Sequence, residues 1–360
     1  MKADQAKTTI ICAGLSCLDL QLIGCTKSGQ AEAIEQYEKA VHCAGGSASM
    51  AATTLALLCD DDIHVLTKLG KDLNGQVMLD FYRQAGAKTD LCIQDEMVST
   101  AMAVLPIFKE GGRACFFNLA ANNGFTTEEL LGQLNKLSAA KAFLFGYPHL
   151  LPKMQGEPLK SMLESIRTKF GHDILIGVDL NGVSADNHRP ELLAPAMDQI
   201  DVLHLNEEEA EILAGVQKDD LFSGDETLQQ VTAALHQQGC AVVLLSLGSK
   251  GSYISVTPDS SRLSQCPPIV RDNWKAQSAV RVPAFAVAEN NVNANGAGDA
   301  LFSGFCYAAA TMEGATLEQA GTFASLVARQ RCDVQTRDKP EHDATKIAEL
   351  VRTGNLPSVL

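Results

Sequence analysis

The stretch that most constrains this chain is a glycine-rich turn running into a helix that is apolar on nearly every side. Residues 293–299 read Asn-Ala-Asn-Gly-Ala-Gly-Asp, and the run beyond them places Leu301, Phe302, Phe305 and Cys306 at helical spacing before continuing through Ala308, Ala309 and Ala310. A helix apolar all round must be buried inside a fold rather than laid on its surface. Gly296, Ala297 and Gly298 carry little or no side chain, so the backbone there can approach a ligand and turn its N–H groups toward it. Added to the positive end of the helix dipole, that makes a ready anion site. Asp299 stands in the first turn, where the dipole favours its ionised form, and so reads as an available base at neutral pH. The plain alternative is an Asp that only caps a core helix. Two common phosphate motifs are not met. The next glycine after the pair is Gly304, too far along for a dinucleotide fingerprint, and no Lys follows the last glycine as a P-loop requires.

The rest of the chain alternates strand and helix patterns. Residues 8–13 read as a buried first strand delivering Asp19 beyond its C-terminal end, where the carboxylate is either a turn residue or an acceptor for substrate hydroxyls. Gly45-Gly46 opens an alanine- and leucine-rich helix, either as a close approach to a ligand or as a simple turn with Ser47 as N-cap. Residues 143–146 and 174–178 are continuous apolar runs suited to central parallel strands, and Asp179 and Asn181 follow the second. A strand ends at Asn206, and Glu207, Glu208 and Glu209 then begin a helix with acids in its first turn. Another buried strand over 241–247 leads into Gly248-Ser249-Lys250-Gly251, whose amides can hold phosphate. Asp60-Asp61-Asp62 reads as a solvated turn rather than a metal cluster. Residues 20–24, 35–42, 100–107 and 113–119 read as strands of a separate small sheet, the last two joined at Gly111-Gly112. Residues 76–85 and 317–329 read as helices. The segment 257–280, with Pro267-Pro268 and Trp274, reads as a surface insertion, with stacking of Trp274 on a bound base the outside reading.

With Asp19, Gly45-Gly46, Asn206/Glu209, Gly248–Gly251 and Gly296–Asp299 in this order, the chain resembles the ribokinase-like (PfkB) carbohydrate and nucleoside kinases. The resemblance implies a three-layer α/β/α sandwich with a mainly parallel central sheet and a small β-sheet lid. Residues 1–19, 43–98 and 119–360 would form the α/β domain, and 20–42 and 99–118 the lid. It implies ATP as phosphoryl donor and Asp299 as base, with the Gly296, Ala297 and Gly298 amides as the anion hole. Asp19, Gly45, Gly46 and Asn181 would bind substrate. Asn206, Gly248, Ser249 and Gly251 would bind the nucleotide, and Asn206 with Glu209 would organise Mg²⁺ through water. A K⁺ ion would sit beside the anion hole with Asn293 in the place of an Asp ligand. The chain departs from the pattern at Met50, where the family usually has Asn, at Asn293, and at Ala294, where a hydroxyl is usual.

The implied acceptor is the hydroxymethyl group of a sugar such as ribose, fructose or 2-keto-3-deoxygluconate. The alternatives are a nucleoside (adenosine, inosine or pseudouridine) or a catalytically silent relative that binds nucleotide or a partner. A net charge of −14 and a pI near 5.0 argue against a nucleic-acid partner. Eleven scattered cysteines without a Cys-x-x-Cys pair suit a reducing, cytoplasmic compartment, and several, Cys12, Cys59, Cys240 and Cys306, read as buried thiols. The polar N-terminal residues 1–9 do not read as a signal peptide, and no apolar run is long enough to span a bilayer. A homodimer formed through the lid completes the expectation.

Overall fold

The computed structural model describes residues 7–26, 34–217, 221 and 224–360. Most of the N-terminal stretch 1–9 and residues 27–33 of the expected lid segment therefore lie outside the described residues.

Strand β1 (Thr9–Gly14) leads into β2 (Cys17–Cys25) and β3 (Lys39–Gly45), and helix α1 (Ser47–Leu58) then runs to β4 (Asp62–Leu66). Strand β5 (Lys68–Gly70) pairs with β6 (Ile93–Asp95) across helix α2 (Leu73–Ala85), and β7 (Met102–Phe108) and β8 (Phe116–Asn118) follow. Next come α3 (Thr127–Leu134), β9 (Ala142–Gly146), α4 (Glu157–Phe170), β10 (Leu175–Asp179) and β11 (Val202–Leu205). Then follow α5 (Glu207–Ala214), α6 (Asp225–Gln237), β12 (Val242–Ser246), β13 (Ser252–Val256), α7 (Ser260–Leu263) and β14 (Ala279–Val282). Helices α8 (Ala297–Thr311), α9 (Leu317–Cys332) and α10 (Ala344–Thr353) close the chain.

Eight strands form one sheet in the order β14-β13-β12-β11-β10-β9-β1-β4. The six from β12 to β4 are parallel, and β13 and β14 pair antiparallel at one edge. Successive side chains on a strand point to opposite faces, so a sheet covered on both sides needs apolar residues at every position. The strands meet that demand. Ile10, Cys12, Leu144, Leu175 and Leu244 pack on one side with α1, α8 and α9, while Ile11, Ala13, Phe143, Ile176 and Leu245 pack on the other with α3, α4 and α6. The expected three-layer sandwich with a mainly parallel sheet is the architecture found. Helix α8 earns its apolar circumference by lying between the sheet and α9, with Phe302, Phe305 and Cys306 fully buried. Gly177 permits its approach, since a Cβ there would stand 2.8 Å from Cys306 Sγ.

A separate four-stranded sheet has the order β3-β2-β7-β8. Its strands start or end several residues from where alternation alone places them. Asp19 consequently lies within β2, opposite Cys43 of β3 and Ala103 of β7, and not in a turn after β1.

Other sequence expectations are corrected. Trp274 is fully buried against Phe305, with ring centroids 5.4 Å apart, and donates from Nε1 to the Ala315 carbonyl at 2.9 Å. The segment 257–280 is therefore part of the core, as buried Leu263, Cys266 and Val270 also show. Asp61 is not merely solvated, because its carboxylate accepts from the Thr8 amide and the Tyr307 hydroxyl. Ser47 does not cap α1. Gly46 takes that position, and the Ser47 hydroxyl is used elsewhere. Cys59 is half-buried, whereas Cys12, Cys240 and Cys306 are buried, and all the cysteines are free thiols. No helix among the described residues is long and apolar enough to cross a membrane.

Candidate active site

Every parallel strand ends at the same edge of the sheet, and the polar residues that the sequence singled out collect there. Strands β10 and β11 place Asp179 and His204 in register on the face that packs against α8. His204 Nδ1 lies 2.6 Å from Asp179 Oδ1, and the Ser47 hydroxyl donates to Asp179 Oδ2 at 3.0 Å. The His204 ring stacks on Phe302 at 5.9 Å. Burial works against a charge on His204, but the neighbouring Asp179 carboxylate outweighs it and holds the imidazole above its ordinary pKa.

Asp299, at the N-terminal turn of α8, is buried beside this pair. Tyr147 donates its hydroxyl to Asp299 Oδ1 at 2.8 Å. Tyr147 follows the last residue of β9 with φ 64° and ψ 51°, a left-handed conformation that costs a non-glycine residue roughly 1–2 kcal/mol. Its amide donates to the Asp179 carbonyl at 2.9 Å, and that bond helps to hold the strained turn. Burial, foremost, and the adjacent charges keep the phenol well above its usual pKa, so it stays a donor. Desolvation by burial, followed by the charge of Asp179, pushes Asp299 up to about 7. Burial thus works against the helix dipole, which by itself favours the ionised form of Asp299.

Asn206 and Glu209 form a reciprocal cap at the start of α5. Asn206 Oδ1 accepts the Glu208 and Glu209 amides, and Glu209 Oε2 accepts the Asn206 amide at 2.9 Å. Glu209 is buried, and desolvation raises it to about 8, with the Asn206 amide pulling the other way and the Asp179 charge adding to the rise. On the neighbouring strand, the loop Gly248–Lys250 forms a single exposed turn after β12, closed by Gly251 N–H to the Gly248 carbonyl. Gly248 lies beside Glu207, which sets this loop next to the Asn206 turn. No three His, Cys, Asp or Glu side chains converge as direct metal ligands among the described residues.

The opposite wall comes from the small sheet and the start of α1. Asp19 packs directly on Gly45, leaving no room for a Cβ there. Its carboxylate is raised by burial, while the Cys17 thiol, 3.1 Å away, and the Arg113 charge draw it back. Gly46 adopts φ +83° against the Leu15 carbonyl, which sets the entry of α1. Met50, on the first turn of α1, reaches across to Gly296, the residue that caps α8 with φ +81°. Asn181 is exposed at the mouth of β10, its side chain accepting from the Gly182 amide.

The structure thus brings together Asp299, Gly296, Ala297, Gly298, Asn206 and Glu209, with the Gly248–Gly251 loop alongside. Asp19 packs on Gly45 at the start of α1, and Met50 of that helix reaches the Gly296 turn. Sequence reading passed over Tyr147 and the role of His204. Tyr147 had one available signal, its position immediately after an apolar strand run. His204 sits inside such a run and had none.

Comparison with known proteins agrees with this arrangement. The sequence matches the model of the pfkB family carbohydrate kinases over residues 7–339, so the chain belongs to that family. It is a phosphotransferase with an alcohol group as acceptor, of the kind that acts on sugars or nucleosides. It is 24% identical over 311 residues to the pseudouridine kinase of Escherichia coli, covering 86% of each chain. It is 22% identical to the ribokinase of Staphylococcus aureus over 65% of this chain and 70% of that one. In fold it is similar to Arabidopsis thaliana ribokinase complexed with ribose and ATP, with a TM-score of 0.72 at 19% identity, covering 97% and 99% of the two chains. The ribokinase of Giardia lamblia superposes with a TM-score of 0.74 at 17% identity, over 96% and 99%.

Proposed function

We propose that the protein transfers the γ-phosphoryl group of ATP to the hydroxymethyl group of a sugar, with Asp299 as general base. The observation that carries the reading is the setting of Asp299: one carboxylate oxygen is held by Tyr147, at the N-terminus of a buried helix, directly behind the Gly296–Gly298 turn. In the reaction the acceptor oxygen attacks the γ-phosphorus while Asp299 takes its proton. The bond from phosphorus to the bridging oxygen breaks, and ADP leaves with that electron pair. The Gly296, Ala297 and Gly298 amides and the α8 dipole favour charge on the phosphoryl oxygens, a stabilisation worth most in a buried site. His204 and Asp179 lie beside Gly298, where a Cβ would stand 3.3 Å from the imidazole. Asp19 accepts acceptor hydroxyls, and Gly45 and Gly46 let backbone approach the sugar. Asn181 lines the mouth, while Gly248, Ser249 and Gly251 hold the nucleotide. The small sheet excludes water that would compete for the phosphoryl group. Its edge strand exposes Phe116 and Phe117, the surface on which two copies would pair.

The donor set suits Mg²⁺. Asp179, Glu209 and Asp299 interact electrostatically around His204, and a divalent cation would favour their ionised forms. Glu209 and Asn206 would hold it through water, and it would supply positive charge to offset that of the phosphate oxygens. A monovalent cation fits less well. Asn293 Oδ1 already accepts the Asn295 amide at 3.0 Å, and the Asn295 carbonyl faces the Arg337 guanidinium at 3.4 Å.

The test is ADP release with Mg-ATP against ribose, fructose, 2-keto-3-deoxygluconate, adenosine, inosine and pseudouridine. Turnover on a sugar supports the reading. Turnover confined to a nucleoside replaces it with the nucleoside-kinase reading, which the similarity to a pseudouridine kinase favours. Tight ATP binding with no acceptor turned over would leave a silent relative.

A further inference from the structure

We propose that Arg331 is a fixed cation of the phosphoryl site, its guanidinium contacting the group in transfer and standing where a dissociable monovalent ion would otherwise be needed. This rests on the kinase reading above. Arg331 is the penultimate residue of α9, and its side chain is only 10% exposed. Burying a guanidinium is costly unless its donors are met. Here they are poorly met: one terminal nitrogen lies 3.4 Å from the Met50 thioether and the other 4.0 Å from the exposed Asp338 carboxylate, while Nε is buried with no partner among the described residues. A buried charged donor left over in this way needs a ligand to complete it.

Its position says which ligand. A Cβ built on Gly296 would stand 3.1 Å from Arg331 Nε, so the free N–H lies against the turn that opens the anion site. The Asp299 and Arg331 charges act on one another. The guanidinium also interacts electrostatically with the Cys43 thiol of β3, so both the small sheet and the Gly296 turn lie near it.

The backbone is built to keep it there. Asn293 N–H donates to the Cys332 carbonyl at 2.7 Å, and Val292 pairs with Asp333 in an antiparallel bridge, so the end of α9 is tied to the entry of the turn. Arg337, six residues on, donates to the Asn295 carbonyl at 3.4 Å. Two guanidinium groups therefore flank residues 293–296, and the turn's own carboxamide, Asn293, is engaged within it. A permanent cation suits transfer through a phosphoryl group whose equatorial oxygens carry the charge, and Arg cannot lose its proton there.

The experiment compares wild type with Arg331→Gln and Arg331→Lys. Removing one donor from a site of this kind costs about 10²–10³ in kcat. Arg331→Gln should show that loss with little change in acceptor KM, and inorganic phosphate should raise the wild-type melting temperature but not that of the variant. Arg331→Lys, which keeps the charge without the Nε–H, should fall between the two, and it serves if the Gln variant does not fold. Wild-type turnover should be equal in NaCl and KCl at matched ionic strength. Wild-type kcat and phosphate response in Arg331→Gln or Arg331→Lys, or a K⁺ requirement in the wild type, would overturn the proposal. A wild type that phosphorylates no acceptor would instead overturn the kinase reading.

Discussion

At the scale of residues, the site is defined by one carboxylate whose proton affinity is set by competing neighbours. Burial and Asp179 raise Asp299, and the Tyr147 hydroxyl, bonding the ionised form, pulls it down. Tyr147→Phe removes that bond and should move the acid limb of the kcat/KM profile to higher pH, with activity recovering well above neutrality. An unmoved limb would mean that Tyr147 does not act on the base. The same shift has a stability consequence. The folded pKa, about 7, lies above the unfolded carboxylate value near 4, so the folded chain holds this proton more tightly. Its favourable contribution is complete below the unfolded value and is lost as pH rises through about 7. Asp299→Asn, neutral throughout, should therefore gain in melting temperature over wild type between pH 5 and pH 8. A constant difference across that range would contradict the burial argument. Asp299 itself was legible from sequence because glycine spacing and helical apolarity are local signals. Its raised pKa was not, because Asp179 comes from a strand 120 residues away and reaches it only through the sheet register.

At the scale of elements, the parallel strands and the helices that flank them were legible because buried strands show as continuous apolar runs and helix starts show as caps. The Asn206–Glu209 reciprocal cap is such a start, and under the proposed function the same residues would also organise Mg²⁺. What misled was polarity. The segment 257–280 looks like a surface insertion because it is rich in Ser, Pro, Asp and Arg, yet its Arg262, with Arg167 of α4, is paired with the buried Asp201 carboxylate just before β11. A charge spent inward cannot be told from a solvated one by composition. Trp274 is the sharpest case. As a core residue, its replacement by Ala should cost about 3–5 kcal/mol of stability while leaving kcat unchanged below the melting transition, as chemical denaturation and assay together report. A variant of normal stability with weakened ATP binding would return Trp274 to the nucleotide mouth.

At the scale of the whole molecule, a sheet of parallel strands gathers the ends of β9, β10, β11 and β12 at one edge, and α8 delivers its N-terminus onto them. The small sheet faces that edge from Asp19 and Gly45, and α9 ties the anion turn to the C-terminal part of the chain. Under the proposed function residues from positions 19 to 331 would act together, and no single stretch contains them all. The account stands on Asp299 as the base of phosphoryl transfer. Its most direct test is the turnover of Asp299→Asn with the preferred acceptor, alongside ATP affinity measured by calorimetry. The expected result is a fall in kcat of roughly 10²–10⁴ with ATP binding retained. Near-normal turnover in that variant would contradict it.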